Sequence, residues 1–263
     1  MTIERIDLAL LKLPYVHFFE TSFGRTTERR ILLVTVHADG VEGWGECVAG
    51  EHPFYSPEDI DTAWHTLKGY FAPSLIGKNV DGGLDAIRYF PGVRGHRMAK
   101  GALENAVWDA EAIAKKVPLW ELLGGTRTEL PCGVSIGIQD SLGQLVEKVR
   151  TELDAGYQRI KLKCKPGWDL SIFECIRKEW PAILLSCDAN SAYTVNDFDH
   201  LKKFDQFNLL MIEQPLWDDD FYFHAALQKQ IKTSICLDEA IRNARDAQAS
   251  AELGSCKIVN IKV

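Results

Sequence analysis

At 263 residues and 46% hydrophobic side chains, the chain can bury a sizeable core, as one large domain or two. A net charge of −7 and a pI near 5.5 argue against nucleic acid or an anionic membrane as partner. No apolar run approaches the ~20 residues of a membrane span, and the acidic start Met1-Thr2-Ile3-Glu4 lacks the basic region of a signal peptide. Seven cysteines, an odd number with no C-x-x-C pair, read as core thiols of a protein in the reducing cytoplasm.

Three strands open the chain, at 3–13, 29–38 and 43–48, with Asp39-Gly40 turning the last pair. Helical patterns follow at 57–75, 83–90 and 97–115. Pro118 then opens a short helix that stops at Gly124-Gly125. Strands first and helices after define an α+β domain over residues 1–125.

From Leu130 the pattern alternates. Strands are expected at 131–137, 158–163, 183–188, 208–213, 234–238 and 257–262. Helices are expected at 140–155, 169–178, 195–203, 219–229 and 242–253. Residues 126–263 therefore read as a (β/α) barrel domain with six strands, where a closed barrel has eight. A barrel cut short after its sixth strand is the favoured expectation over an open sheet, since a bare inner edge is a liability.

The most informative pattern lies on those strands. Lys163, Asp188, Glu213, Asp238 and Lys262 each close a short apolar run and stand 25, 25, 25 and 24 residues apart. Any one of them alone is an ordinary solvated strand end. Five in register put ionisable groups at the C-terminal ends of successive strands, the face where parallel barrels carry their chemistry. Adjacent strands lie about 4.8 Å apart, so Asp188, Glu213 and Asp238 can converge around a cation. Hard oxygen donors suit Mg²⁺, with Mn²⁺ a close second. In a ring of eight, Lys163 and Lys262 would face each other across the mouth, one amine on each face of a substrate. Lys161 shares the side of its strand with Lys163. The chemistry that fits is abstraction of a proton α to a carboxylate, with a small-molecule carboxylate as the partner. The seven histidines show no metal spacing, and there is no G-x-G-x-x-G, P-loop or G-x-S-x-G motif.

At these residues the chain resembles the enolase superfamily in its muconate-lactonizing branch. The matching pieces are Lys161-Leu162-Lys163, Asp188-Ala189-Asn190, Glu213-Gln214-Pro215, Leu237-Asp238-Glu239 and Asn260-Ile261-Lys262. Segments Phe19–Gly24, Gly43–Gly50, Pro53–Ser56 and Ala102–Asp109 are similar to those of o-succinylbenzoate synthases and N-succinylamino acid racemases. The resemblance implies a capping domain followed by a barrel, with the family's last two strands lying beyond this sequence. It implies that Asp188, Glu213 and Asp238 bind Mg²⁺. It makes Lys163 the general base and then acid of a syn dehydration on the menaquinone pathway. Lys262 would stabilise the enediolate or act as second base in racemisation. Asn190 and Lys161 would support the metal and carboxylate site. Ser135, Phe19, Phe23 and Tyr55 would touch substrate, packing being the other reading of the aromatics. Dipeptide epimerase and muconate cycloisomerase chemistry use the same machinery, and an inactive fragment or one part of a split protein is the reading of another class. Members of this family often self-associate, so a homo-oligomer is among the states implied.

Overall fold

The computed structural model describes residues 1–90 and 92–262. By its contacts the chain divides into two compact units, residues 1–16 with 27–129 and residues 17–26 with 130–263. Sequence order alone places a boundary at 125/126; the contacts add the excursion of residues 17–26 into the second unit.

The first unit is built on a three-stranded sheet in the order β1 (Ile3–Thr21), β2 (Gly24–Ala38), β3 (Val41–Cys47). β2 and β3 are antiparallel, with Val34 opposite Gly45 and Val36 opposite Gly43. The first two strands run well past the expected limits, to Thr21 and from Gly24. Residues 10–16 and 24–28 are exposed on both faces, so no apolar alternation marks them. Pro14 is tolerated because β1 is an edge strand.

Helices α1 (Ile60–Thr66), α2 (Ala72–Leu75), α3 (Gly83–Ala86), α4 (Arg97–Lys115) and α5 (Leu119–Leu122) follow. The expected helix over 57–75 is interrupted by a π-turn at Leu67–Phe71, two residues before Pro73, which has no N–H to continue an α-helical ladder. Its start is set by Asp59, which caps Thr62 reciprocally. The expected helix over 97–115 matches α4, whose buried face carries Ala99, Ala102, Leu103, Ala106 and Val107. α4 lies hard against β3: a Cβ on Gly45 would sit 2.0 Å from the Ala102 carbonyl oxygen, and one on Gly43 would sit 2.1 Å from that of Ala106. Only glycine permits that approach.

The second unit carries a six-stranded sheet, parallel throughout and in sequence order: β4 (Gly133–Ile136), β5 (Arg159–Lys163), β6 (Leu184–Asp188), β7 (Ile212–Glu213), β8 (Ile235–Leu237) and β9 (Ile258–Val259). Between them run α6 (Leu142–Asp154), α7 (Leu170–Glu179), α8 (Phe198–Leu201), α9 (Tyr222–Gln228) and α10 (Ala244–Leu253). Ser141 and Asn243 cap the first turns of α6 and α10, and Gly254 ends α10 at φ 71°. One side of the sheet buries Ile160, Leu162, Leu185, Cys187, Ile212 and Ile235 against the helices. The helix expected over 195–203 is instead a 3₁₀ turn, α8, and a longer 3₁₀ segment at Lys202–Phe207. Its buried residues Leu201, Phe204 and Phe207 recur every three positions, the period at which 3₁₀ side chains eclipse.

Each cysteine is a free thiol; Cys47, Cys164, Cys187 and Cys236 are buried, and Cys132 is exposed. Among the described residues no helix is long and apolar enough to cross a membrane.

Asp205, in the 3₁₀ segment, accepts from the backbone N–H groups of Lys232 and Thr233 and from the Thr233 hydroxyl at 2.7–3.1 Å. Burial works to raise its pKa, but these donors together outweigh it and the net shift is downward. A depressed carboxylate pKa stabilises the fold above the ordinary value of about 4, and the contribution is lost as pH falls through the folded value. Asp205→Ala is expected to cost about 1–3 kcal/mol at pH 7 by leaving those donors unpaired. In denaturant melts, the gap between variant and parent should narrow as the pH is lowered below about 4.

Candidate active site

The parallel register does the first part of the assembly. Lys163 pairs with Asp188 across β5 and β6, and Asp188 pairs with Glu213 across β6 and β7. The three stand level at the strand ends. On β8 the residue opposite Glu213 is Cys236, so Asp238 stands two residues further along, on the same side of the strand. Equal sequence spacing therefore conceals a step in height.

Of these ends Glu213 lines a cavity of about 400 Å³ on the face opposite the helices, together with Ser135, Lys161, Ser186, Cys236 and Asn260; Lys163, Asp188 and Asp238 stand outside its lining. Asp188 and Glu213 are each 1% exposed and Asp238 4%. Carboxylates so buried need partners, and the partners are the lysines. Lys163 Nζ lies 2.6 Å from Asp188 Oδ2. Lys161 Nζ donates to Glu213 Oε2 at 2.8 Å and lies 3.3 Å from Asp188 Oδ2. Lys262 Nζ lies 2.5 Å from Asp238 Oδ2. The two lysines expected to act from opposite sides thus sit toward opposite ends of the carboxylate row.

Electrostatics follow from this crowding. Burial, and then the neighbouring charges of Glu213 and Asp188, push Asp238 up to about 7. Burial and Asp238 likewise push Glu239 up to about 8. For Lys161 burial is the largest influence and lowers the pKa, but Asp188 and Glu213 outweigh it and the net shift is upward. Desolvation pushes Lys262 down to about 8 although its side chain is half exposed. Its contact with Asp238 acts in the opposite sense, and desolvation is the larger effect.

Among the described residues no three His, Cys, Asp or Glu side chains gather closely enough to hold a metal ion, because each acid is turned toward a lysine. The donor set nevertheless fits a hard divalent cation. It offers three buried carboxylates on neighbouring strands, and burial, with the charges of Glu213 and Asp188, already pushes Asp238 upward.

Several site-shaping residues had no role assigned from sequence. Gln214 is fully buried with φ 37°, donates to the Trp217 carbonyl at 2.9 Å and accepts from the Asp238 N–H at 3.0 Å. It thereby fixes the backbone of Asp238. Asn260 donates to Glu213 Oε1 at 3.1 Å, and Glu239 accepts from Asn190 at 2.8 Å. The signal available was their position, within two residues of a ladder charge.

The tip of the β1–β2 hairpin belongs to this unit. Phe19 places its ring centroid 6.0 Å from Lys163 Nζ. Ile138 donates its backbone N–H to the Glu20 carbonyl at 2.9 Å, beside Gly137, where a Cβ would come within 3.0 Å of the Glu20 nitrogen. Arg25 bridges Glu20 at 2.8 Å and Asp140, and Lys165 reaches Glu20 at 3.3 Å. The Arg25 guanidinium, with Lys165, holds the Glu20 carboxyl below its ordinary value against the effect of burial. Phe23 is 44% exposed at the turn. Tyr55 lies in the loop before α1, in the first unit.

The description "Enolase C-terminal domain-like" matches residues 144–263, and "Mandelate racemase / muconate lactonizing enzyme, N-terminal domain" matches residues 6–124. The chain belongs to the enolase superfamily. Within it, this member is 45% identical over 264 residues to an o-succinylbenzoate synthase of Geobacillus kaustophilus, covering 100% of this chain and 70% of the relative. It is 44% identical over 263 residues to an N-succinylamino acid racemase of Amycolatopsis sp, covering 100% of this chain and 72% of that one. A solved enolase-superfamily structure from Listeria innocua superposes with a TM-score of 0.93 at 38% identity, over 99% of this chain and 71% of that one. The expectation of a barrel-type parallel sheet following an antiparallel capping sheet agrees with these superfamily neighbours.

Arg25→Ala should loosen the hairpin tip. In hydrogen exchange, the Ile138 amide, which bonds the Glu20 carbonyl, is expected to exchange faster in the variant. The difference should shrink as salt is raised toward about 1 M, where the Debye length falls to about 3 Å. Equal exchange in both proteins would show that the ion pairs do not hold the tip.

Proposed function

We propose that this superfamily member is a metal-dependent lyase that removes a proton α to a carboxylate, acting as an o-succinylbenzoate synthase with N-succinylamino acid racemase activity at the same site. The observation that carries the reading is the carboxylate row flanked by Lys163 on one side and Lys262 on the other. The family and the names of its relatives supply the substrate class.

In this proposal Asp188, Glu213 and Asp238 hold Mg²⁺, or Mn²⁺ in its place. When bound, the cation offsets the negative charge that builds on the substrate carboxylate as the α-proton leaves. Lys163 takes that proton. Its amine is anchored by Asp188 and by Asn190 Oδ1 at 2.7 Å, which fixes the direction of its approach. In dehydration the same amine returns the proton to the departing hydroxyl, so one lysine serves a syn elimination. Lys262 supplies positive charge on the other side. In racemisation the two lysines exchange roles, one removing and the other delivering the proton. Lys161 neutralises Glu213 and Asp188 and keeps the row from repelling the substrate. Ser135, inside the cavity, and Phe19, beside Lys163, are the nearest of the proposed substrate contacts.

The test is a dehydration assay with the cyclohexadiene precursor of o-succinylbenzoate, in excess Mg²⁺ and after EDTA. Turnover is expected with the metal and loss of it with the chelator. Lys163→Ala should cut both dehydration and N-succinylamino acid racemisation by at least ~10²-fold, the lower end of what a general base supplies. Retained dehydration in that variant would remove Lys163 from the mechanism. Turnover of dipeptides with no N-succinyl substrate accepted would overturn the substrate class.

A further inference from the structure

Asn190 follows Asp188 by two residues and adopts φ 42°, a left-handed conformation that asparagine tolerates better than most residues. It is 4% exposed, and each of its four polar groups meets a different element. Its backbone N–H donates to Asp188 Oδ1 at 3.0 Å. Its backbone carbonyl accepts from the Ser22 hydroxyl of the hairpin tip at 3.1 Å. Its side-chain Oδ1 accepts from Lys163 Nζ at 2.7 Å. Its side-chain Nδ2 donates to Glu239 Oε1 at 2.8 Å.

The chemistry of the two end groups fixes the orientation of the amide between them. An ammonium only donates, so the atom facing Lys163 must be the amide oxygen. The amide nitrogen is then turned toward β8, where it needs an acceptor. Glu239 is that acceptor, and its other oxygen, Oε2, is buried and meets no partner among the described residues. The bond to Asn190 is therefore the side-chain contact in which Glu239 is engaged. Without an acceptor at 239, the amide is held by Lys163 alone and loses the second anchor that fixes its position. Flipping would put an NH₂ against an ammonium.

We propose that Glu239 is a positioning residue. It holds the Asn190 amide so that Asn190 Oδ1 aims the Lys163 amine, and the relay Glu239–Asn190–Lys163 acts on one of the two lysines only. Lys262, which contacts Asp238, lies outside it. This assignment rests on the proposed roles of the lysines for its catalytic consequence, but its geometric content can be tested without turnover.

The experiment uses Glu239→Leu, Asn190→Ala and, as the conservative rescue, Glu239→Gln, which keeps an oxygen acceptor at that position. Amine labelling by reductive methylation, read peptide by peptide by mass spectrometry, reports how firmly each lysine is held. Lys163 labelling is expected to rise roughly 3- to 10-fold in Glu239→Leu and Asn190→Ala, the factor that one lost hydrogen bond is worth. Lys161 and Lys262 should stay at their parental levels, and Glu239→Gln should restore Lys163 toward the parent. Unchanged Lys163 labelling in all three, or a parallel rise at all three lysines, overturns the positioning role. The second arm follows α-proton exchange of each enantiomer of an N-succinylamino acid in D₂O. Glu239→Leu should slow exchange of the enantiomer served by Lys163 by about 10–100-fold, the scale of a misplaced group, and leave the other nearly unchanged. Equal slowing of both would mark Glu239 as a general support of the site and overturn the relay. If the parent exchanges neither enantiomer while the labelling pattern holds, the racemase reading fails and the relay stands.

Discussion

Backbone hydrogen bonding between parallel strands is the constraint on which the rest depends. Register brings Lys163, Asp188 and Glu213 level across three strands. Parallel connection then puts every strand's C-terminal end on one edge. Charges separated by 25 residues of sequence become neighbours at strand spacing. At about 4 Å, two unit charges near a protein surface interact by ~4 kcal/mol, so such a row cannot persist as acids alone. Lysines 161, 163 and 262 are the complement that this register requires.

Buried carboxylates in the two units differ in their principal partners. In the first, Glu58 accepts from the Met98 and Ala99 N–H groups at the start of α4. That acid meets fixed backbone donors, orphan groups of the helix's first turn. In the second, Asp188, Glu213 and Asp238 meet flexible ammonium groups at the strand ends. A backbone partner locks a carboxylate in place; an amine partner can exchange it for another cation or a proton.

Much of this was legible in the residues. The ladder announced itself because each charge ends an apolar run, and the strand positions followed from it. What escaped has identifiable causes. The outer hairpin, exposed on both faces, carries no alternation. The 3₁₀ segment after α8 shows a period of three that a helix of 3.6 imitates over short spans. The height of Asp238 depends on the stagger between β7 and β8, which spacing along the chain does not encode. The roles of Gln214, Glu239 and Asn260 depend on bonds between neighbouring strand ends, and on left-handed backbone at Asn190 and Gln214 that no composition signal marks.

The excursion of residues 17–26 has a consequence for inheritance. The polypeptide passes between its two units three times, after residues 16, 26 and 129. A recombination event at the Gly124-Gly125 joint would deliver Glu20 and Arg25 from one parent and Asp140 and Lys165 from the other. Those four charges meet across that joint in sequence, so a chimera inherits a mismatched set unless both parents carry the same signs. A substitution at one of these four positions therefore bears on partners on the other side of the joint, although each unit packs its own core.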